Sequence, residues 1–253
     1  MTNLKTKLAT LAGAALLAFA PFQGRAQETN NLANAQLSQP QANPVQASIK
    51  GEWFNKYLFR NLVYSENPIS QGTAALTYKD ISLIGIGIYD TKVRDFIEAD
   101  AILDITHNFG PITASAGYAK ITVPNAEGQE LDSQEFYLGI TGNCAGNPSF
   151  KWIRDFGTGK GDYFELSASH QIDLTKRLSL KGTAMLHADN HYYGEQSELR
   201  AATATLEVPV KLGKLEKDGS SWLTFGPKAM YQKSLRQDLK DNLVVGAGLE
   251  WKF

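Results

Sequence analysis

The sequence predicts an all-β protein, a transmembrane antiparallel β-barrel of about twelve strands, with ten as the alternative count. Three observations carry this expectation. The last residues, Leu243 to Phe253, alternate strictly between two faces. An export signal stands at the front, and nothing after it is apolar for long enough to make a membrane helix. Between the two, apolar residues recur with a period of two and not with a helical one.

The last strand is the clearest. Leu243, Val245, Ala247, Leu249, Trp251 and Phe253 share one face, and Val244, Gly246, Gly248, Glu250 and Lys252 share the other. The ending Leu249, Trp251, Phe253 resembles the terminal signal by which the outer-membrane assembly machinery of Gram-negative bacteria recognises barrel proteins. The alternative is a terminal strand of a soluble sandwich, and exposed apolar edges of that kind are usually avoided.

At the front, Lys5 and Lys7 precede the apolar run Leu8 to Ala20, and Gly24-Arg25-Ala26 supplies small residues for a peptidase. Residues 1–26 read as a cleaved signal peptide. Ala18-Phe19-Ala20 is a second cleavage candidate, but Pro21 would block it. Residues 27–46, rich in Gln, Asn, Ala and Pro, read as a flexible periplasmic lead, and 47–253 as the barrel. Of 25 basic and 26 acidic residues, three basic ones lie in 1–26, leaving 22 against 26. That balance excludes a nucleic-acid partner, which needs a basic surface. Cys144 is the single cysteine, so no internal disulfide forms.

The strands follow in order. The first run holds Ile49, Trp53, Tyr57 and Phe59; then come Ala74, Leu76 and Tyr78, and then Ile84, Ile86 and Ile88. Ala99, Leu103 and Ile105 mark the fourth, Ala114, Ala116 and Tyr118 the fifth, and Phe136, Leu138 and Ile140 the sixth. Phe150 and Trp152 mark a short seventh, followed by Phe164, Leu166 and Ala168. Leu178 to Leu186, Ala202 to Val210, Trp222 to Tyr231 and the terminal run complete the set, with Pro227 interrupting the eleventh. With both termini in the periplasm, the outward connections are 65–70, 90–94, 123–132, 157–161, 188–196 and 232–241. None is long enough to fold into a pore. Trp53, Tyr57, Phe59, Tyr118, Trp251 and Phe253 fall near strand ends, where aromatic girdles belong.

Placing the apolar faces against lipid assigns the polar faces to a lumen. Lys50, Glu52, Lys56 and Arg60 fall there on the first strand, and Lys79 on the second. Glu98, Asp100 and Asp104 fall there on the fourth, with Glu135, Glu165, Lys181 and Glu207 spread over the others. Charge this dense cannot face hydrocarbon. Gly85, Gly87, Gly117, Gly139, Gly246 and Gly248 also point inward on this assignment. The nearly balanced signs leave two possibilities open, a salt-bridged, closed barrel or a hydrated path. The acidic trio Glu98, Asp100 and Asp104 is a candidate cation site, with a salt-bridged wall as the alternative.

Lys56-Tyr57-Leu58-Phe59-Arg60-Asn61, Gln71 and Tyr78-Lys79-Asp80 form one patch of resemblance. Asp155-Phe156, Lys160-Gly161 and Tyr163-Phe164-Glu165-Leu166 form another. Both resemble a bacterial family of small outer-membrane barrels described as porins or as conserved proteins of unknown function, over most of 48–253. The resemblance implies an outer-membrane location and solute passage without a known substrate. It singles out Arg60, Gln71 and Glu165.

Catalysis finds little support. A nucleophilic triad needs His within reach of a hydroxyl and an orienting third group. The histidines are His107, His170, His187 and His191. His170 falls on the lipid face, and His187 and His191 fall at an outer loop beside Asp189, Tyr192 and Tyr193 without metal-ligand spacing. Gly157 to Gly161 lacks the spacing and following helix of a phosphate loop and reads as a hairpin turn. The expectation is a non-enzymatic, cofactor-free porin passing small hydrophilic solutes, with Arg60, Lys50 and Lys181 facing Glu98, Asp100, Asp104 and Glu165. Its expected partners are outer-membrane lipids and the assembly machinery. A closed structural or ligand-binding barrel is the alternative, and a barrel hydrolase a distant third.

Overall fold

Alternation along each strand becomes a wall with one face to a bore and one face outward. The computed structural model describes residues 45–60, 62–124, 130–157, 159–192, 197–214, 221–236 and 239–253. The expected signal peptide and the lead through residue 44 lie outside the described residues. The strands are β1 (Val45–Phe54), β2 (Tyr57–Phe59), β3 (Leu62–Ser65), β4 (Ile69–Tyr78), β5 (Ile81–Asp90), β6 (Asp95–Asn108), β7 (Ile112–Pro124) and β8 (Glu130–Gly142). They continue with β9 (Ser149–Asp155), β10 (Asp162–Asp173), β11 (Ser179–Asn190), β12 (Ser197–Glu207), β13 (Val210–Lys214), β14 (Trp222–Ser234) and β15 (Asn242–Lys252). No helix occurs among the described residues.

Every wall strand pairs antiparallel with its neighbours, and β1 pairs with β15, Ser48 opposite Lys252, to close the sheet on itself. β12 and β13 both pair with β14 and act as one wall strand interrupted at Val208-Pro209. The barrel therefore has twelve strands. Pro227 survives inside β14 because its carbonyl accepts from Val208 N. A strand residue points its N–H and C=O to the same side, so the donor that proline lacks faces the interruption, where the ladder is already broken.

The outer face carries exposed Leu76, Leu83, Leu103, Leu138, Leu166 and Leu249, with Trp53, Tyr78, Tyr118 and Trp251 among the exposed aromatics. Buried side chains include Glu98, Glu135, Lys151, Glu165 and Arg200. Apolar outside and charged inside is the arrangement of a chain whose solvent is hydrocarbon. Closure leaves no unpaired strand edge in that medium.

The structure corrects the sequence reading in three places. Tyr57 and Phe59 are not girdle residues on a long first strand: β1 ends at Phe54, and β2 and β3 form a separate two-stranded hairpin. The first connection at the mouth opposite the termini is thus 55–68, and it folds into the bore as a plug, contrary to the expectation that no loop could. Lastly, β5 is reversed. Ile84, Ile86 and Ile88 are buried, Ile88 at 1% exposure, while Leu83 is 57% exposed and Gly85 and Gly87 share its outward face. The inward isoleucines are the apolar surface on which the hairpin rests.

Candidate functional site

The hairpin leaves the wall at Asn55, whose side-chain Oδ1 accepts from Val245 N (2.8 Å) while its own N donates to Val245 O (3.0 Å). Its return leg is stapled at Asp90, the last residue of β5. Asp90 Oδ2 accepts from Ser65 Oγ (2.6 Å) and Asn67 Nδ2 (3.0 Å), and its Oδ1 accepts from Lys92 N and Val93 N (both 2.9 Å). One carboxylate thus ties the plug to the β5–β6 turn. Lys56 belongs to this base too: it pairs with Glu66 (2.7 Å) rather than lining the lumen.

Deeper in the bore the contacts are apolar. Phe54, Tyr57 and Phe59 form one cluster with Ile84, Ile86 and Ile88 of β5, Ile121 of β7, Ile153 of β9, Met230 of β14 and Val244 of β15. These strands lie on opposite sides of a twelve-stranded wall, so the cluster spans the lumen.

The tip carries the charge. Arg60 adopts φ 45°, a left-handed conformation unfavourable for a side-chain-bearing residue, and is 3% exposed. Its Nη1 donates to Glu135 Oε1 and its Nη2 to Glu135 Oε2, the two-pronged fork that suits guanidinium and carboxylate. Arg60 Nη1 also donates to Tyr192 Oη, which in turn donates to Glu135 Oε1 (2.6 Å). The guanidinium carbon lies 4.7 Å from the Tyr192 ring centre, 5.2 Å from that of Tyr163 and 4.8 Å from that of Phe59. On the way in, Tyr57 Oη donates to Glu98 Oε1 (2.6 Å).

Around the tip the wall is acidic. Glu98, Asp100, Asp104, Glu135 and Glu165 are all buried on β6, β8 and β10. Asp104 accepts from Tyr137 Oη and Thr106 Oγ1 (2.7 Å). Lys151, absent from the expected lining, stands opposite Glu165 on the neighbouring strand, its Nζ 3.6 Å from the Tyr137 ring centre. The Tyr137 ring lies where a Cβ on Gly117 would sit, so a glycine is needed opposite it. The inward placement of Gly117 therefore serves packing, not a wider bore.

Other expected lining residues lie elsewhere. Lys50 pairs with Glu52 (2.9 Å), which also binds Lys228, and Lys181 stands in register with Glu207. Gln71 stands in register with Glu52. Of the expected facing of Arg60, Lys50 and Lys181 against Glu98, Asp100, Asp104 and Glu165, Arg60 lies within electrostatic reach of Glu165 but pairs with Glu135, while Lys50 pairs with Glu52 and Lys181 stands in register with Glu207. Lys79 is not in the lumen: it occupies the exposed β4–β5 turn at φ 53°, its Nζ 5.3 Å from the Tyr78 ring centre. Leu249 and Trp251 are exposed on the outer face of β15, and Phe253 follows with its ring 4.6 Å from that of Trp251.

His187 and Asp189 face the lumen on β11 rather than sitting in an outer loop, and Tyr193 lies outside the described residues. His187 Nε2 is 3.1 Å from Thr203 Oγ1, but its Nδ1 has no protein partner, so no acid orients the ring as a triad requires. His170 is exposed on the outer side of β10. Among the described residues, no group of three His, Cys, Asp or Glu is placed to hold a metal ion. Lys151 could have been read from parity alone, because it alternates with Phe150 and Trp152. Tyr192 could not, since it lies beyond its strand.

No protein-family model matches the chain, and neither does any curated protein. Among solved structures it is similar to the KdgM porin, with 8% identity, a TM-score of 0.48, and 82% of this chain and 98% of that one covered. It is also similar to the translocator domain of autotransporter NalP from Neisseria meningitidis, with 9% identity, a TM-score of 0.45, and 97% of each chain covered. A third is OccK5 of Pseudomonas aeruginosa, with 12% identity, a TM-score of 0.38, and 83% of this chain and 67% of that one covered. At these identities the likeness is one of barrel shape and says nothing of what enters the lumen.

Proposed function

We propose that this protein is an outer-membrane channel for small hydrophilic solutes whose mouth opposite the termini is closed by the 55–68 hairpin. The observation that carries this reading is the hairpin itself. A permanently structural barrel could fill its bore with wall side chains, as small barrels do. Here the bore is filled by a loop joined to the wall at its base and held further in at Glu98, Glu135 and Tyr192. Solutes pass by diffusion when the hairpin leaves. The remaining lumen carries charge of both signs and many hydroxyls, among them Thr113, Thr141, Ser179 and Thr183.

The mature chain would be exported by its signal peptide and delivered to the assembly machinery by Leu249, Trp251 and Phe253. Phe253→Ala is expected to lower outer-membrane yield, read by heat-modifiable mobility. The spanning apolar cluster also favours a second reading, a closed barrel with no transport. Planar-bilayer conductance of the refolded protein separates the two. Discrete openings that become more frequent in Arg60→Ala support the gated channel. A folded barrel that conducts neither as wild type nor without its hairpin leaves the closed reading.

A further inference from the structure

The contacts around Arg60 have the form of a ligand site with an occupant already in it. Both Glu135 oxygens grip the two terminal nitrogens, Tyr192 Oη takes a further hydrogen bond, and the Tyr163 and Tyr192 rings, packed edge to face at 5.6 Å, both lie against the guanidinium. All three cage residues belong to the wall side of the contact: Glu135 to β8, Tyr163 to β10, and Tyr192 to the segment just after β11. We infer that this cage is a receptor site for a solute bearing a guanidinium group, and that Arg60 is its tethered occupant.

Three features favour this class. A two-pronged carboxylate matches a planar guanidinium and is poorly used by a round ammonium ion. Ring faces 4.7 and 5.2 Å away attract a delocalised cation and repel anions. The wall adds a second carboxylate that makes no hydrogen bond to the hairpin: Glu165 is buried opposite Lys151, its Oε1 has no hydrogen-bond partner, and it lies within electrostatic reach of Lys151, Arg60 and Glu135. Among the described lumen residues of β6, β8 and β10, the acids Glu98, Asp100, Asp104, Glu135 and Glu165 stand with no basic residue. Lys151 of β9 is the nearest cation the wall supplies. Once Arg60 leaves, that wall is short of positive charge, and a solute cation restores it.

A tethered occupant competes at an effective concentration in the millimolar range. Removing it therefore unmasks the site. The test uses methylguanidinium as the probe and tetramethylammonium as the control, titrated calorimetrically into the refolded mature protein in detergent. Arg60→Ala is expected to bind methylguanidinium roughly tenfold or more tighter than wild type does, with tetramethylammonium ignored. Adding Glu135→Gln to that variant abolishes the binding. Equal and weak binding of both cations to Arg60→Ala overturns the proposal.

A second measurement on the wild type covers the case in which Arg60→Ala does not fold. Methylguanidinium should speed chymotryptic cleavage after Tyr57 and Phe59, which are buried while the hairpin is docked, and tetramethylammonium at equal ionic strength should not. Identical cleavage in the two salts overturns the proposal as well. The coupling to opening rests on the channel reading, and the two fail separately. Binding without conductance in any variant keeps the cage and removes the channel. Conductance without preference for methylguanidinium does the reverse.

Discussion

The two halves of this bore are built on different principles. Toward the mouth opposite the termini, the wall contributes isoleucines and acids, and a hairpin from outside the wall completes the packing. Toward the end carrying the termini, wall side chains pair with one another. Thr77 and Ser82 bond across adjacent strands (2.7 Å), Thr141 donates to Ser149 (3.0 Å), and Lys252 pairs with Glu250 (3.3 Å). The difference teaches where closure resides. A wall whose side chains pair with one another offers a plug little to dock on, whereas an apolar and acidic wall is completed when something apolar and cationic docks on it.

The strongest way to break this comparison is to remove the hairpin. Replacing residues 56–66 with a short Gly-Ser turn should raise single-channel conductance by about tenfold or more, since a twelve-stranded wall is wider than the side-chain-filled kind. Unchanged conductance would show that the half near the termini is closed as well. Next in size is Glu135→Gln. It leaves Arg60 buried against an uncharged partner, and breaking a buried pair in this way costs about 3–5 kcal/mol. The hairpin should then undock, read as faster chymotryptic cleavage after Tyr57 while the barrel keeps its heat-modifiable mobility.

How much of this was legible in the sequence depends on the face. The outward face was, because lipid demands an unbroken apolar band: Leu103, Leu138, Leu166 and Leu249 were all read correctly from parity. The acids Glu98, Asp100 and Asp104 were legible for the converse reason, since charge cannot face hydrocarbon. β5 was not. Its two faces are isoleucine and glycine, both apolar, so alternation gives the period and leaves the sign open. The sign is set by a partner distant in sequence, the hairpin. That hairpin was hidden because Trp53, Tyr57 and Phe59 continue the parity of Ile49. Phe54, apolar on the polar side, was the one local hint that β1 had ended. Arg60 was placed in the lumen correctly but on the wrong element, and its partner Glu135 could be chosen only once the hairpin's reach was known.

A subtler pair of changes sharpens the contrast between the halves. Ile88→Ala opens a cavity beneath the hairpin and should cost about 2–4 kcal/mol of docking, seen as more frequent openings at unchanged step size. Thr183→Val on β11 should not. Thr183 Oγ1 is buried without a hydrogen-bond partner, so swapping it for a methyl is neutral or slightly stabilising, within about 1 kcal/mol. If Thr183→Val gates the channel as strongly as Ile88→Ala, closure is not confined to the half the hairpin fills.

The smallest expected effect lies outside the bore, in the loop between β14 and β15, and it checks that acid acts on the rim independently of the plug. Asp241 accepts from Lys233 Nζ (2.9 Å), Tyr231 Oη (2.8 Å) and Ser234 N (2.9 Å). The Lys233 ammonium, then the Tyr231 hydroxyl and the Ser234 amide, hold its carboxyl below the usual carboxylate range. A carboxyl with a lower pKa folded than unfolded stabilises the folded loop at pH values above its unfolded pKa of about 3.9. That contribution is lost as pH falls through the folded value. Amide exchange at Ser234 should therefore quicken only in strong acid, and Lys233→Met should move the onset to higher pH because the largest cause of the shift is gone. Hairpin cleavage after Tyr57 should not follow that shift, because among the described residues Asp241 bonds to Tyr231, Lys233 and Ser234 of its own loop and strand. If both move together when Lys233 is changed, the rim loop and the plug form one unit.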